Sequence, residues 1–136
     1  MSTAPNLKQF ARRLLVCEAA TTQPADVKDS AAFRACEKLR GPLGKLMGIG
    51  GFRSLFSRAL VLACTEVPWL VALQIKADGS LEGFHEAEVK LDWSATSEGE
   101  IVLVSQLLGL LVTFIGAALT VRLLHDIWPE LDDLNF

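Results

Sequence analysis

Cysteine is scarce in this chain and follows no pattern. Cys17, Cys36 and Cys64 are three in 136 residues, odd in number and widely spaced. They make neither a disulfide framework nor a CxxC pair, and a reducing, cytoplasmic setting is the simplest expectation. Each sits among apolar helical neighbours and reads as an inert buried thiol. Histidine is scarcer still. His85 stands with Glu86 and Glu88, and His125 with Asp126 and Glu130. A di-iron bundle needs ExxH motifs from two helices and two further glutamates. That set is missing, so neither a metal nor a cofactor is expected. No GxSxG elbow occurs either. Gly48-x-Gly50-Gly51, followed by a helix with Arg53, superficially resembles an anion cradle. It lacks the preceding strand and the Lys-Ser/Thr or GxGxxG pattern of a nucleotide loop, and reads as an interhelical turn. The chain therefore reads as noncatalytic.

A secretory signal is not expected. The first twenty residues hold only a four-residue apolar run, Leu14 to Cys17, against the roughly 7–15 that a signal requires. Internal repeats and low-complexity tracts are also missing. What remains is a composition 51% hydrophobic and 21% charged, too apolar for disorder and sufficient for a core. The length predicts one α-rich domain over residues 1–136.

Charge is unevenly placed. Residues 1–60 hold ten Lys/Arg and four Asp/Glu, and residues 61–136 hold three and twelve. The two halves should attract, within one chain or between copies. Arg34, Lys38, Arg40, Lys45, Arg53 and Arg58 face only Glu37 in their stretch. Such a basic surface could touch nucleic acid or anionic lipid, and segment 34–58 allows a nucleic-acid-binding regulator as a third reading. The pI of about 5.3 argues against it, because nucleic-acid domains are usually basic. A solvated face, or one paired with the acidic half, is the simpler expectation.

Apolar spacing predicts the elements. Leu7, Phe10, Ala11, Leu14 and Leu15 make one stripe of a helix from about Asn6 to Ala20, with Asn6 as its cap. Residues 21–25 read as a loop. A second helix, from Asp29 or Ser30, carries Ala32, Phe33, Cys36 and Leu39. Gly41-Pro42 should interrupt it, a short helix should carry Leu43, Leu46 and Met47, and the glycines from Gly48 should break the chain again. A third helix, Phe52 to about Glu66, buries Phe52, Leu55, Phe56, Ala59, Leu62 and Ala63 and ends at Pro68. Val71, Leu73 and Ile75 then alternate as in a strand. With Asp78-Gly79 and Ser80 to Phe84 they predict a β-hairpin over about residues 70–84. Residues 85–96 read as a loop.

The last element is predicted as one helix from Ser97, its cap, to about Trp128, roughly 45 Å long. Within it, Ile101 to Val121 contains no charge, and thirteen of its residues are Leu, Ile, Val or Phe. A stretch of this length could span a bilayer, or could be the buried central helix of a bundle. Three upstream helices with apolar stripes need a partner, Gln106 lies inside the run, and the flanks lack a one-sided excess of Lys/Arg. The expectation is a mainly α fold: a small helical bundle around this C-terminal helix. Ser105, Gly109, Thr113, Gly116 and Thr120 recur at steps of three or four. They should form a groove for a neighbouring helix, as small residues do in membrane dimers and soluble bundles alike. Trp69, Trp93 and Trp128 fall at element ends, and Glu130 to Phe136 forms an acidic tail. The functional expectation is a noncatalytic cytoplasmic interaction or adaptor module that self-associates, with a homo-oligomer or another protein as partner. The alternative is a small membrane-anchored protein with its span at 101–121.

Overall fold

The computed structural model describes residues 5–20, 31–79, 81–82 and 93–129. The residues it describes form four helices and one small antiparallel hairpin. Helix α1 spans Pro5–Ala20, α2 Ala31–Glu66, α3 Trp93–Ile115 and α4 Ala117–Ile127. Strands β1, Gln74–Ile75, and β2, Leu81–Glu82, pair antiparallel, with Ile75 opposite Leu81. The predicted loop at 21–25, residues 85–92 of the predicted loop at 85–96 and the acidic tail lie outside the described residues, whereas residues 93–96 of that loop are helical, the first turn of α3.

The apolar stripes of α1 and α2 meet on α3. Phe10, Ala11, Leu14 and Leu15 of α1 are buried, as are Ala32, Cys36 and Leu39 of α2. Later in α2, Phe52, Phe56, Ala59 and Ala63 are buried, and the Phe52 and Phe56 rings lie tilted with centroids 5.5 Å apart. From α3, the stretch Val102 to Leu108 is buried without interruption, followed by Leu111. A helix buried all round has to be apolar all round. Its inner half is the centre of the core, and each such leucine contributes about 1.5–3 kcal/mol relative to exposure.

Gly41-Pro42 does not interrupt the second helix. Pro42 lies inside α2, which continues through it. A residue before proline is pushed out of the helical region by clashes of its N–H and Cβ with the proline ring, and Gly41 lacks the second of these. Leu39 and Leu43, one turn apart, are buried on either side and hold the segment down. The chain turns instead at Gly48, with φ 79° and ψ 156°, and helix resumes at once through Gly50 and Gly51. A Cβ on Gly79 would lie 3.3 Å from Arg40 Cδ and 3.2 Å from Phe52 Cδ2. A straight helix would separate those two residues by about 18 Å. The arms 31–47 and 49–66 therefore fold toward each other.

The last element is likewise two helices. Gly116 has φ 91° and ψ 155°, and α3 is 23 residues long, roughly 34 Å. Its first helical residue is Trp93, so Ser97 lies inside it and is no cap. Gly48 and Gly116 adopt the same backbone region, one that essentially only glycine occupies. The first strand, Gln74–Ile75, is shorter than its alternation suggested. Pro68 fixes φ at the start of a 3-10 turn, Pro68–Ala72, which takes up Val71 and leaves it exposed. Gly79 supplies the positive φ of the connection, 87°, and its amide donates to the Lys76 carbonyl at 2.9 Å.

Candidate functional site

Two glutamates, one buried and one near the surface, tie the helices together. Glu18, at the end of α1, is 1% exposed. Its Oε1 accepts from Lys38 Nζ at 2.8 Å and from Trp128 Nε1 at 3.0 Å, and its Oε2 faces Arg34 Nε at 3.4 Å. This knot ties α1 to the start of α2 and to the end of α4. A buried carboxylate survives only when paired and hydrogen-bonded. With both oxygens engaged, Glu18 is a tie between elements and not a general base awaiting substrate.

Glu66 closes α2. Gln106 Nε2 donates to its Oε2 at 2.9 Å, and Lys8 Nζ to its Oε1 at 3.1 Å. Burial pushes its carboxyl up, but the bonds from Gln106 and Lys8 and the Lys8 charge prevail and hold it below the usual carboxylate range. The one amide inside the uncharged run is thus buried against a partner from α2. Cys36 is buried, and burial, with Glu37 and Glu100 nearby, pushes its thiol far above the ordinary range. Burial also raises Cys64. Neither thiol is activated as a nucleophile. Among the described residues no group of three or more His, Cys, Asp or Glu is placed to hold a metal. His85 and its carboxylates lie outside those residues.

The six basic residues separate into two sets. Arg34 and Lys38 join the Glu18 knot. Arg40 pairs with Glu37 at 2.8 Å and with Asp78 at 3.6 Å. Lys45, Arg53 and Arg58 are exposed and make no ion pair among the described residues. Lys8–Glu66 and Arg40–Asp78 each join the basic first sixty residues to the acidic remainder.

The structure places the five small residues in different settings. Ser105 is buried and its hydroxyl donates to the Val102 carbonyl at 2.9 Å. Gly109 faces α1, where a Cβ would meet Leu7 Cδ1 at 3.5 Å. Thr113 is exposed and bonds the Gly109 carbonyl. Gly116 has no described atom within 4 Å of where its Cβ would stand. It bends the chain, and no described helix packs against it, because a break in direction carries the row out of line with α3. Thr120, buried, donates from Oγ1 to the Gly116 carbonyl at 2.8 Å and secures the break. The closest approach is at Gly99, where a Cβ would overlap the Trp69 ring and lie within 2.8 Å of Cε2. Gly99 stands off the 105–120 row, so periodicity could not have found it. Trp69, an aromatic at an element end, was its only signal.

What the breaks leave outside is apolar. At the Gly116 corner Thr113, Phe114, Gly116, Ala117, Ala118 and Leu119 are exposed, Phe114 by 65%. At the Gly48 corner Leu46 and Ile49 are exposed by 52% and 42%. Among the described residues, two helical stretches, Ala32–Glu66 and Glu98–Ile115, are long and apolar enough to cross a membrane, a test that core helices also pass. Comparison with protein families, with characterised proteins and with solved structures gave no match to this chain.

Proposed function

We propose that this chain is a noncatalytic interaction module, cytoplasmic and adaptor-like, that associates with a second copy of itself through the Gly116 corner. The observation that carries this reading is the emergence of the outer half of the uncharged run into solvent. From Gly109 to Val121 no side chain is charged, yet Phe114 and Leu119 lie at the surface. An exposed apolar patch costs solubility unless something covers it. A two-fold contact sets one patch against its own copy, and an uncharged patch meets its copy without repulsion. Ala117 and Ala118 beside Phe114 leave room for a close approach.

The burial of Val102 to Leu108 and the bond from Gln106 to Glu66 support the core-helix reading over a membrane span at 101–121. A span would strip α1 and α2 of their common partner. Light scattering on the purified protein and on a Phe114→Ser/Leu119→Ser variant tests the proposal. The wild type should associate. The variant should be monomeric with stability changed by no more than about 0.5 kcal/mol, as for surface positions. A wild type monomeric at every concentration, or a variant that associates equally well, would sink it.

A further inference from the structure

The two glycine corners differ in their charge. The Gly116 corner has no cation nearer in sequence than Arg122. The Gly48 corner is flanked by Lys45, Arg53 and Arg58, and between Glu37 and Glu66 the chain has no acidic residue. All three cations are exposed and make no ion pair among the described residues.

Their placement follows from helix geometry. In the second arm of α2, Ile49, Arg53, Ser57 and Val61 recur every four residues and share one row. Arg58 lies three residues from Val61, next to that row. The whole row is exposed, Val61 by 65%. Across the turn, Lys45 and Leu46 are exposed at the end of the first arm. The tip thus presents two aliphatic side chains on a glycine-rich turn, with unpaired cations behind them and no carboxylate among them. An apolar tip backed by cations matches an anionic bilayer surface, where the aliphatics enter the acyl boundary and the cations meet the headgroups. A nucleic-acid surface would use the cations but has no place for exposed Leu46 and Ile49, and the tip offers no exposed aromatic for stacking.

We infer that the Gly48 corner is a peripheral membrane-docking tip, inserting Leu46 and Ile49 into an anionic lipid surface that Lys45, Arg53 and Arg58 select. This surface shares no residue with the Gly116 corner and stands independently of self-association.

The test is flotation of the purified protein with phosphatidylcholine vesicles, with and without phosphatidylserine. At roughly fivefold per cation, three cations give a preference on the order of a hundredfold for the anionic vesicles. A Lys45→Gln/Arg53→Gln/Arg58→Gln variant should lose that preference, and Leu46→Ser/Ile49→Ser should weaken binding, both with unchanged melting temperature. Equal or absent flotation on the two vesicle types overturns the proposal. So does a triple variant that keeps the preference, or undiminished binding by Leu46→Ser/Ile49→Ser. Tighter binding to duplex DNA than to the anionic vesicles at the same salt also overturns it.

Discussion

Trp128 Nε1 donates a hydrogen bond to Glu18 Oε1 at 3.0 Å, joining residues 110 positions apart. Both side chains are buried. Because α4 is only 11 residues long, it is too short to be stable alone. Thr120, Leu124 and Trp128, one turn apart and all buried, fix it to the body. Trp128→Phe keeps most of the ring and removes the donor. It should destabilise by about 1.5–3 kcal/mol, the range for a bond to a charged group. Urea unfolding checks this, and a cycle with Glu18→Gln should show coupling. Additive effects of the two substitutions would mean that the bond contributes nothing.

Two glycines of the uncharged run should respond in opposite directions to alanine. At Gly109 a Cβ makes an ordinary contact with Leu7, and helix propensity favours alanine by up to about 1 kcal/mol. Gly109→Ala should be neutral or stabilising. At Gly116 there is space, but φ is 91°. Gly116→Ala should therefore cost on the order of 1–3 kcal/mol. A stabilised Gly116→Ala protein would show that α3 and α4 form one continuous helix in solution.

Glu66 gives a pH dependence of known sign. Its folded carboxyl is held below the usual range, so its contribution is present above the unfolded value, about 4.3. That contribution is lost as pH falls through the folded value. Gln106→Leu removes one of the bonds that favour the charged form. The variant should lose less stability than the wild type across this acid window. Urea midpoints at neutral and acid pH provide the comparison, and parallel losses in the two proteins would contradict it.

The parts of the fold legible in the sequence are those with local periodicity. Leu14 and Leu15 follow Phe10 and Ala11 at helical spacing, and all four are buried. Asp78-Gly79 marked the hairpin connection. The mainly α class followed from several such stripes. Gly116 was hidden because a single glycine inside an apolar helical pattern costs only about 1 kcal/mol, too little to mark a break. Gly41-Pro42 misled the other way, since the poor helix propensity of glycine and proline is outweighed by the buried Leu39 and Leu43 on either side. Glu37–Arg40 was within local reach, at a spacing of three. The Glu18 knot was not, since Arg34, Lys38 and Trp128 converge on it from other helices. Of the two exposed corners, the basic segment around Gly48 was visible as composition. Its division into paired and unpaired cations depends on where Glu18 and Asp78 lie in space.

We propose that Ile101–Val121 serves the fold, its inner half as core and its outer end as a contact surface. Alkaline extraction of cell membranes tests this most directly, because it removes proteins held at the surface and leaves those whose helices cross the bilayer. All of the protein should be recovered in the supernatant, including any fraction docked through the Gly48 corner. Retention in the pellet after alkaline extraction would place the uncharged run in lipid and overturn the core-helix proposal.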